Sequence, residues 1–192
     1  MDLLHSGAQA RRQPPAFVDL VDESGATIGR ATVEQAHSGS GALHRAFSAF
    51  VFDDAGRLML QQRAKTKSRF AGLWSNTCCS HPEAAAVVDR CAADRIWDEL
   101  GLGVRDLALC GAVVYRANDP GSRYVEHEYD HVLVGRALGD PPDPDPAEVA
   151  DWRWIEPDEL AAELACAPDR FTPWLPLTLP LALDRARSVD RI

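Results

Sequence analysis

Hydrophobic and polar residues alternate along several short segments in the middle of the chain, with the period of two that is typical of β-strands. The clearest case is a hairpin in which Ala46–Asp53 and Arg57–Arg63 flank an Asp-Ala-Gly turn. Two further strands are predicted over Val104–Tyr115 and Glu126–Arg136, separated by a segment rich in turn residues. Shorter strands are predicted over Phe17–Val21, Leu73–Ser80 and Trp152–Ile155.

Helical patterns lie on either side of these strands and towards the end of the chain. Pro82 suits a first helical position, Glu83–Leu100 carries helix formers throughout, and Gly101 is a typical helix end. Two more helices are predicted over Glu156–Leu164 and Trp174–Arg187. Strands in the middle with helices at the edges favour the α+β class, arranged as an α/β/α sandwich.

Length and composition favour one folded domain. The chain has 192 residues, of which 46% are hydrophobic, enough for a single core. We expect residues 1–15 to form a flexible N-terminal arm and residues 16–192 a single folded domain. No apolar run approaches the roughly 20 residues that a membrane span needs, and the polar start resembles no signal peptide. Five cysteines, an odd number, favour the reducing cytoplasm.

A net charge of −9 argues against nucleic acid as a partner, because binding a phosphate backbone requires a basic face. The charge does not exclude a small anion held in a local basic pocket. Five cations could form such a pocket for a diphosphate, although a solvated hairpin end is the more usual explanation of such a set: Arg63, Lys65, Lys67, Arg69 and Arg95. The oligomeric state is left open.

Histidines and glutamates are spaced in a way that suits a metal. His37 and His44 flank a loop of small residues, and His81 follows a pair of cysteines. Glu126 and Glu128 alternate along a predicted strand, so both carboxylates project from one face. These five residues could bind Zn²⁺, Mn²⁺ or Mg²⁺, and three histidines favour a transition metal. The alternative is that the histidines are solvated or hydrogen-bonded core residues.

Several motifs resemble those of type 1 isopentenyl diphosphate isomerase, a family with the Nudix fold. They include the run Asn-Thr-Cys-Cys-Ser-His-Pro at Asn76–Pro82, the Glu-His-Glu segment at Glu126–Glu128, and Thr-Pro-Trp ending at Trp174. The resemblance covers roughly residues 17 to 175. It implies a Nudix-like α/β/α sandwich with a central mixed sheet. It also implies an enzyme of isoprenoid biosynthesis that interconverts isopentenyl and dimethylallyl diphosphate by moving a proton across an allylic unit.

The resemblance also implies roles for individual residues. Cys79 and Glu128 would be the acid and base on opposite faces of the substrate, Tyr115 would hydrogen-bond near Glu128, and Trp174 would face the developing carbocation. Strand alternation puts Cys78 on the opposite face from Cys79, which favours a core position for Cys78.

The resemblance implies two kinds of metal and a diphosphate site. One transition metal, Zn²⁺ or Mn²⁺ with Mg²⁺ as the alternative, would be held by His37, His44, His81, Glu126 and Glu128. Glu99 would hold a Mg²⁺ that arrives with the diphosphate. Three cations would contact the phosphates: Arg63, Lys67 and Arg95.

Three departures from known patterns bear on the function, one from the Nudix box and two from the isomerase family. The Nudix box retains only Asp98 and Glu99 of its acidic residues, which disfavours diphosphate hydrolysis. Val33 stands where the family usually has a lysine, a role that Arg30 could take over, and Asp94 stands where it usually has an arginine. The alternatives are an enzyme that protonates or cyclises a longer prenyl diphosphate, and a protein that binds a prenyl diphosphate without catalysis.

Overall fold

The computed structural model describes residues 11–83, 86–139 and 143–189, and this part of the chain contains nine β-strands and four α-helices. The strands are β1 Phe17–Val21, β2 Thr27–Thr32, β3 His44–Phe52, β4 Leu58–Arg63, β5 Trp74–Ser75, β6 Cys78–Ser80, β7 Gly103–Asn118, β8 Val125–Leu138 and β9 Val149–Ile155. The helices are α1 Val33–His37, α2 Val88–Leu100, α3 Pro157–Cys166 and α4 Leu175–Val189, with a 3₁₀ turn at Pro168–Arg170.

All nine strands belong to one mixed sheet centred on β3. Strand β3 pairs antiparallel with β1, β4 and β6 and runs parallel to β8, which pairs antiparallel with β7. In this register Glu128 lies beside His44 on β3 and beside Tyr115 on β7. One row across three strands therefore carries three residues of the predicted site.

Two hydrophobic cores lie on opposite faces of the sheet. The first core packs Phe47, Met59 and Cys78 of the sheet against Ile96 of α2. The second core packs the sheet against α3 and α4 and includes Phe50, which faces away from Phe47 as strand alternation requires. Burial of each such side chain stabilises the fold by about 1.5–3 kcal/mol. The predicted α+β sandwich with a central mixed sheet is confirmed.

The predicted hairpin is confirmed, since β3 and β4 pair on either side of the turn. The predicted start of α2 at Glu83 is wrong: the helix begins at Val88, and neither Pro82 nor Glu83 is helical. The Ala86 N–H donates to the Glu83 carbonyl in a turn, and the first bond of the helix runs from Cys91 to the Val87 carbonyl. Local helix propensity before Val88 is overridden by the chain's exit from β6.

Strand β2 and helix α1 were missed because both are weak patterns in the sequence. Strand β2 is exposed along much of its length, with Ile28 69% exposed, so it lacks an alternating apolar face. Helix α1 has only five residues, but it begins with a capping box between Thr32 and Gln35. That Thr-x-x-Gln spacing could have revealed the helix, which ends at His37.

The N-terminal segment is described from Arg11 onwards, and the rest of the predicted arm, residues 1–10, lies outside the described residues. The Arg12 N–H donates to Asp98 over 3.0 Å, and the Arg12 carbonyl accepts from Arg95 over 2.9 Å. Among the described residues, no helix is long and apolar enough to cross a membrane.

Candidate functional site

Three histidines converge at one edge of the sheet. His37 comes from the end of α1, His44 from the start of β3 and His81 from the residue after β6. Their ring centroids lie 4.5–5.2 Å apart, and all three side chains are buried. With Glu128 of β8 they offer four possible ligand atoms that all lie within 4.8 Å of one another.

Backbone carbonyls orient two of these rings. The Nδ1 atom of His37 lies 2.6 Å from the Val33 carbonyl, and Nδ1 of His44 lies 2.8 Å from the Ala42 carbonyl. Because a carbonyl can only accept, each Nδ1 carries a hydrogen, and Nε2 of each ring faces the cluster. Burial lowers the pKa of His81 to about 4, so this ring is neutral, whereas the nearby Glu128 carboxylate raises the pKa of the buried His44 above its ordinary value. Imidazole nitrogens that converge in this way suit a metal ion.

Glu126 stands beside this cluster. Its Oε2 atom lies 2.7 Å from Nε2 of His37, yet both buried atoms lack a hydrogen-bond partner. The contact is not a hydrogen bond when His37 is neutral, since the ring hydrogen is on Nδ1. The other oxygen of Glu126 accepts from Nε of Arg69 over 3.0 Å. A divalent cation would satisfy the two unpartnered atoms, so the donor set fits a metal ion.

Glu128 lies in a row of hydrogen-bonding groups. Its Oε2 accepts from the Tyr115 hydroxyl over 2.5 Å, and its Oε1 lies 3.3 Å from Nε2 of His81 and 3.6 Å from Nε2 of His44. Burial alone would raise the pKa of Glu128, but the neighbouring His44 and His81 rings bring it well below its ordinary value. The carboxylate is therefore held ionised at neutral pH.

Cys79 lies in the same cavity as Glu128 and close to Trp174. Its thiol donates to Oδ1 of Asn76 over 2.7 Å and accepts from Nε1 of Trp174 over 3.0 Å. Burial raises the pKa of this thiol to about 11, so it carries its proton at neutral pH. Cys78 points the other way and is fully buried in the first core, as the alternation predicts.

One cavity of about 310 Å³ connects this chemistry to a charged end. One part of it is lined by Cys79, Tyr115, Glu128 and Trp174, and a charged part is lined by Arg63, Lys67, Arg95 and Glu99. The structure thus brings the predicted catalytic and substrate-binding residues together around one space.

The charged end is a network of paired ions. Lys67 pairs with Glu148, and Nη2 of Arg95 lies 2.8 Å from Glu99 and 3.5 Å from Glu148. Burial alone would raise the pKa of Glu99, but the charges of Lys67 and Arg95 hold it below its ordinary value. One oxygen of Glu99 is buried without a hydrogen-bond partner. An ionised, partly unsatisfied carboxylate among cations suits a magnesium diphosphate.

Sequence reasoning assigned no role to two buried polar residues beside Cys79 and Glu128, namely Asn76 and Asp130. Oδ1 of Asn76 accepts from both Cys79 and Trp174, and its amide donates to two backbone carbonyls. Asp130 follows Glu128 on the same face of β8 and accepts from Ser48 over 2.7 Å. Asn76 belongs to the seven-residue motif, and continuing the Glu-x-Glu alternation by two positions would have located Asp130.

The departures from the family pattern have definite places. Asp94 of α2 forms an ion pair with Arg12 over 2.7 Å. The N-terminal segment therefore balances the negative charge that stands where the family usually has an arginine. Arg30 stacks over the ring of Phe17 at 4.7 Å, on the edge strand pair, a position that does not favour a phosphate role. Val33 begins α1, where its carbonyl orients a histidine ring.

Comparisons with known proteins agree with this arrangement. A family model described as the NUDIX domain matches residues 42–175. A protein of Nocardia farcinica named isopentenyl-diphosphate Delta-isomerase is 50% identical over 165 residues, covering 86% of this chain and 93% of that protein. Proteins with the same name from Streptomyces griseus and Halorhodospira halophila are 45% and 43% identical, covering 90% and 82% of this chain and 86% and 89% of theirs.

Solved structures share the fold at low sequence identity. A protein of Deinococcus radiodurans is similar with a TM-score of 0.66 and 16% identity, covering 86% of this chain and 96% of that one. A MutT NUDIX hydrolase from Burkholderia pseudomallei has a TM-score of 0.55 and 20% identity, covering 72% and 97%. The domain match and the extent of identity to the curated relatives together show that this chain belongs to the isopentenyl-diphosphate Delta-isomerase family of NUDIX-domain proteins.

Proposed function

We propose that this protein interconverts isopentenyl diphosphate and dimethylallyl diphosphate. The observation that carries the proposal is a single cavity that is lined by a thiol, Cys79, a carboxylate, Glu128, and several cations, among them Arg63, Lys67 and Arg95. Relatives named isopentenyl-diphosphate Delta-isomerase, which match this chain over most of their length, support the same substrate. The cavity suits a small molecule with one charged end and one short hydrocarbon end.

The charged end would bind the diphosphate. Arg63 and Arg95 offer forked N–H donors and Lys67 a compact charge, the groups that recognise phosphate oxygens. In the free protein Arg95 and Lys67 are occupied by the carboxylate of Glu148. A Mg²⁺ arriving with the diphosphate would meet the unpartnered oxygen of Glu99. Substrate binding would therefore exchange existing ion pairs for new ones.

The hydrocarbon end would carry out the isomerisation. One proton is added at the terminal methylene carbon, another is removed from the carbon next to the oxygen-bearing one, and the double bond moves between them. Cys79 and Glu128 would divide these two transfers, and they would exchange roles in the reverse direction. Trp174 and Tyr115, with rings 6.1 Å apart, would face the positive charge that develops between the transfers.

The rings of Trp174 and Tyr115, which we call the aromatic wall, would also protect the reaction from water. A tertiary carbocation reacts readily with water, so the pocket must exclude it. Trp174 is 3% exposed, and its indole N–H is held by Asn76 and Cys79. A fixed ring leaves little room for a water molecule next to the reacting carbons.

A divalent ion would be held by His37, His44, His81, Glu126 and Glu128. Three imidazole ligands favour Zn²⁺ or Mn²⁺ over Mg²⁺, which prefers oxygen ligands. When bound, the ion would supply a positive charge that fixes the Glu128 carboxylate and lowers its affinity for protons. The Tyr115 hydroxyl would hold the remaining oxygen of that carboxylate in place.

The test is to incubate the purified protein with isopentenyl diphosphate in D₂O and to identify the products by NMR. We expect dimethylallyl diphosphate together with deuterium in both isomers, because each transfer exchanges a proton with a group that equilibrates with solvent. Glu128→Gln should lower turnover by about 10²–10⁴-fold, since the amide cannot take a proton.

Parallel incubations with geranyl and farnesyl diphosphate distinguish the alternatives. If isopentenyl diphosphate shows no deuterium exchange and a longer prenyl diphosphate is consumed, the isomerase proposal is wrong and a related protonating enzyme or cyclase replaces it. Binding of these compounds without any turnover would instead identify a non-catalytic binding protein.

A further inference from the structure

Phe70 has a backbone conformation that bulky residues rarely adopt. Its φ angle is 47°, in the left-handed region, and its side chain is 3% exposed. Such conformations persist only where the surrounding structure enforces them, and they are concentrated at functional sites. Phe70 lies between β4 and β5, in the segment that also carries Lys67 and Arg69.

One carboxylate, that of Asp119, enforces this conformation. Its Oδ2 accepts from the Phe70 N–H over 3.0 Å, although Asp119 lies 49 positions further along the chain. The same carboxylate accepts from the Gly121 N–H and the Ser122 hydroxyl, and it is 8% exposed. Both oxygens are therefore in use, and the carboxylate joins the β7–β8 turn to the β4–β5 segment.

Phe70 in turn contacts two residues of the candidate site. Its carbonyl accepts from Nε of Arg63 over 3.2 Å, which orients a guanidinium at the charged end of the cavity. Its ring meets the ring of Trp174 edge to face at 5.2 Å. The guanidinium carbon of Arg63 lies 5.5 Å from the centre of the Trp174 ring, so the three side chains form one packed unit.

We infer that Asp119 is a positioning residue, which acts through Phe70 on both the diphosphate-binding and the carbocation-facing sides of the cavity. This inference rests on the proposed function, because it assigns consequences to Arg63 and Trp174 in that reaction. The hydrogen bond from the Phe70 backbone holds the left-handed conformation. That conformation places the Phe70 carbonyl under Arg63 and the Phe70 ring against Trp174.

Asp119→Asn is the first test. The amide has the same shape as the carboxylate, but its NH₂ group must face one of the N–H or O–H groups that now donate to Asp119. We expect the dissociation constant for magnesium pyrophosphate, measured by titration calorimetry, to rise about 10-fold. We expect kcat for isopentenyl diphosphate to fall by a similar factor. Asp53→Asn is the matched control: Asp53 accepts from Ala55 and Arg57 in another turn, and its loss should change neither quantity.

A double-mutant cycle with Phe70→Gly separates positioning from general stability. Glycine adopts φ 47° without strain but carries no ring, so Phe70→Gly should lower kcat. If Asp119 acts through Phe70, adding Asp119→Asn to Phe70→Gly should change kcat by less than about 2-fold. Should Asp119→Asn fold poorly, the double variant should fold better, because the strained residue is gone.

Effects that multiply in the double variant would overturn the inference. So would an Asp119→Asn protein that loses thermal stability but keeps the wild-type dissociation constant and kcat. A double variant that still fails to fold would also overturn it. Failure of the proposed function would look different. The wild-type protein would then leave five-carbon diphosphates unchanged, while pyrophosphate binding would still respond to Asp119→Asn.

Discussion

Adjacent cysteines provide a direct test of the catalytic assignment, because the same substitution should have opposite effects at the two positions. Cys78 is fully buried in the core beneath α2, whereas Cys79 lines the cavity. Cys78→Ala removes one buried group, worth about 0.8 kcal/mol of transfer free energy. It also leaves a cavity of roughly 20 Å³, which costs about 0.5 kcal/mol. The free energy of unfolding should therefore fall by about 1.3 kcal/mol and Tm by about 3–5 °C.

Cys79→Ala should have little effect on stability and a large effect on turnover. Removing one member of an acid–base pair costs about 10²–10⁴-fold in rate, or roughly 3–5 kcal/mol in the activation barrier. Cys78→Ala should keep kcat within about 2-fold of the wild type, because Cys78 packs in the first core. Calorimetric melting and NMR-monitored deuterium exchange measure the two quantities on the same samples. Loss of activity in Cys78→Ala with retention in Cys79→Ala would show that the catalytic assignment is wrong.

Three further predictions concern the metal centre, the aromatic wall and a turn. As purified, the protein should contain about one transition-metal ion per chain by elemental analysis, and His81→Ala should lose both ion and activity; a metal-free, active variant would contradict the proposed centre. Asn76→Ala should lower kcat by about 10-fold with KM little changed, because the Cys79 thiol and the Trp174 indole lose the acceptor that they share. An unchanged kcat would show that Asn76 does not position these two groups. Gly25→Ala should lower the free energy of unfolding by roughly 2–4 kcal/mol, because a Cβ there would lie 2.7 Å from the Tyr129 ring. The control is Gly56→Ala, where φ is similar but the space around the Cβ is open, and it should cost about 1 kcal/mol. Equal losses in urea unfolding would refute this steric argument.

Much of the fold follows from local patterns that the sequence displays openly. Alternation identifies β3, β7 and β8, and the left-handed Gly101, with φ 65°, ends α2 where predicted. The start of α2 could not be read in the same way. Residues after His81 have good helix propensity, but α2 begins only at Val88. Propensity is a weak prior wherever a neighbouring side chain must occupy a fixed place.

The candidate site depends on contacts between distant parts of the chain. Spacing along the sequence suggests that Glu126 and Glu128 share a face and that three histidines could join them as ligands, and the family resemblance implies the same set. Only the parallel pairing of β3 with β8 brings His44 beside Glu128, and no local pattern determines which strands pair. The role of Asp119 is less visible still, because it depends on the φ angle of a residue 49 positions away.

The irregular pairing of β7 with β8 bears on how this enzyme can be redesigned. Register shifts fall between Arg105 and Ala108 and between Leu109 and Gly111, whereas pairing is unbroken from Gly111 to Asn118. The shifts absorb extra residues before the strand reaches Tyr115, which faces Glu128. Loop grafts or length changes in the first half of β7 should therefore be tolerated by selection for activity. A single inserted residue in the second half would turn Tyr115 to the opposite face of the sheet.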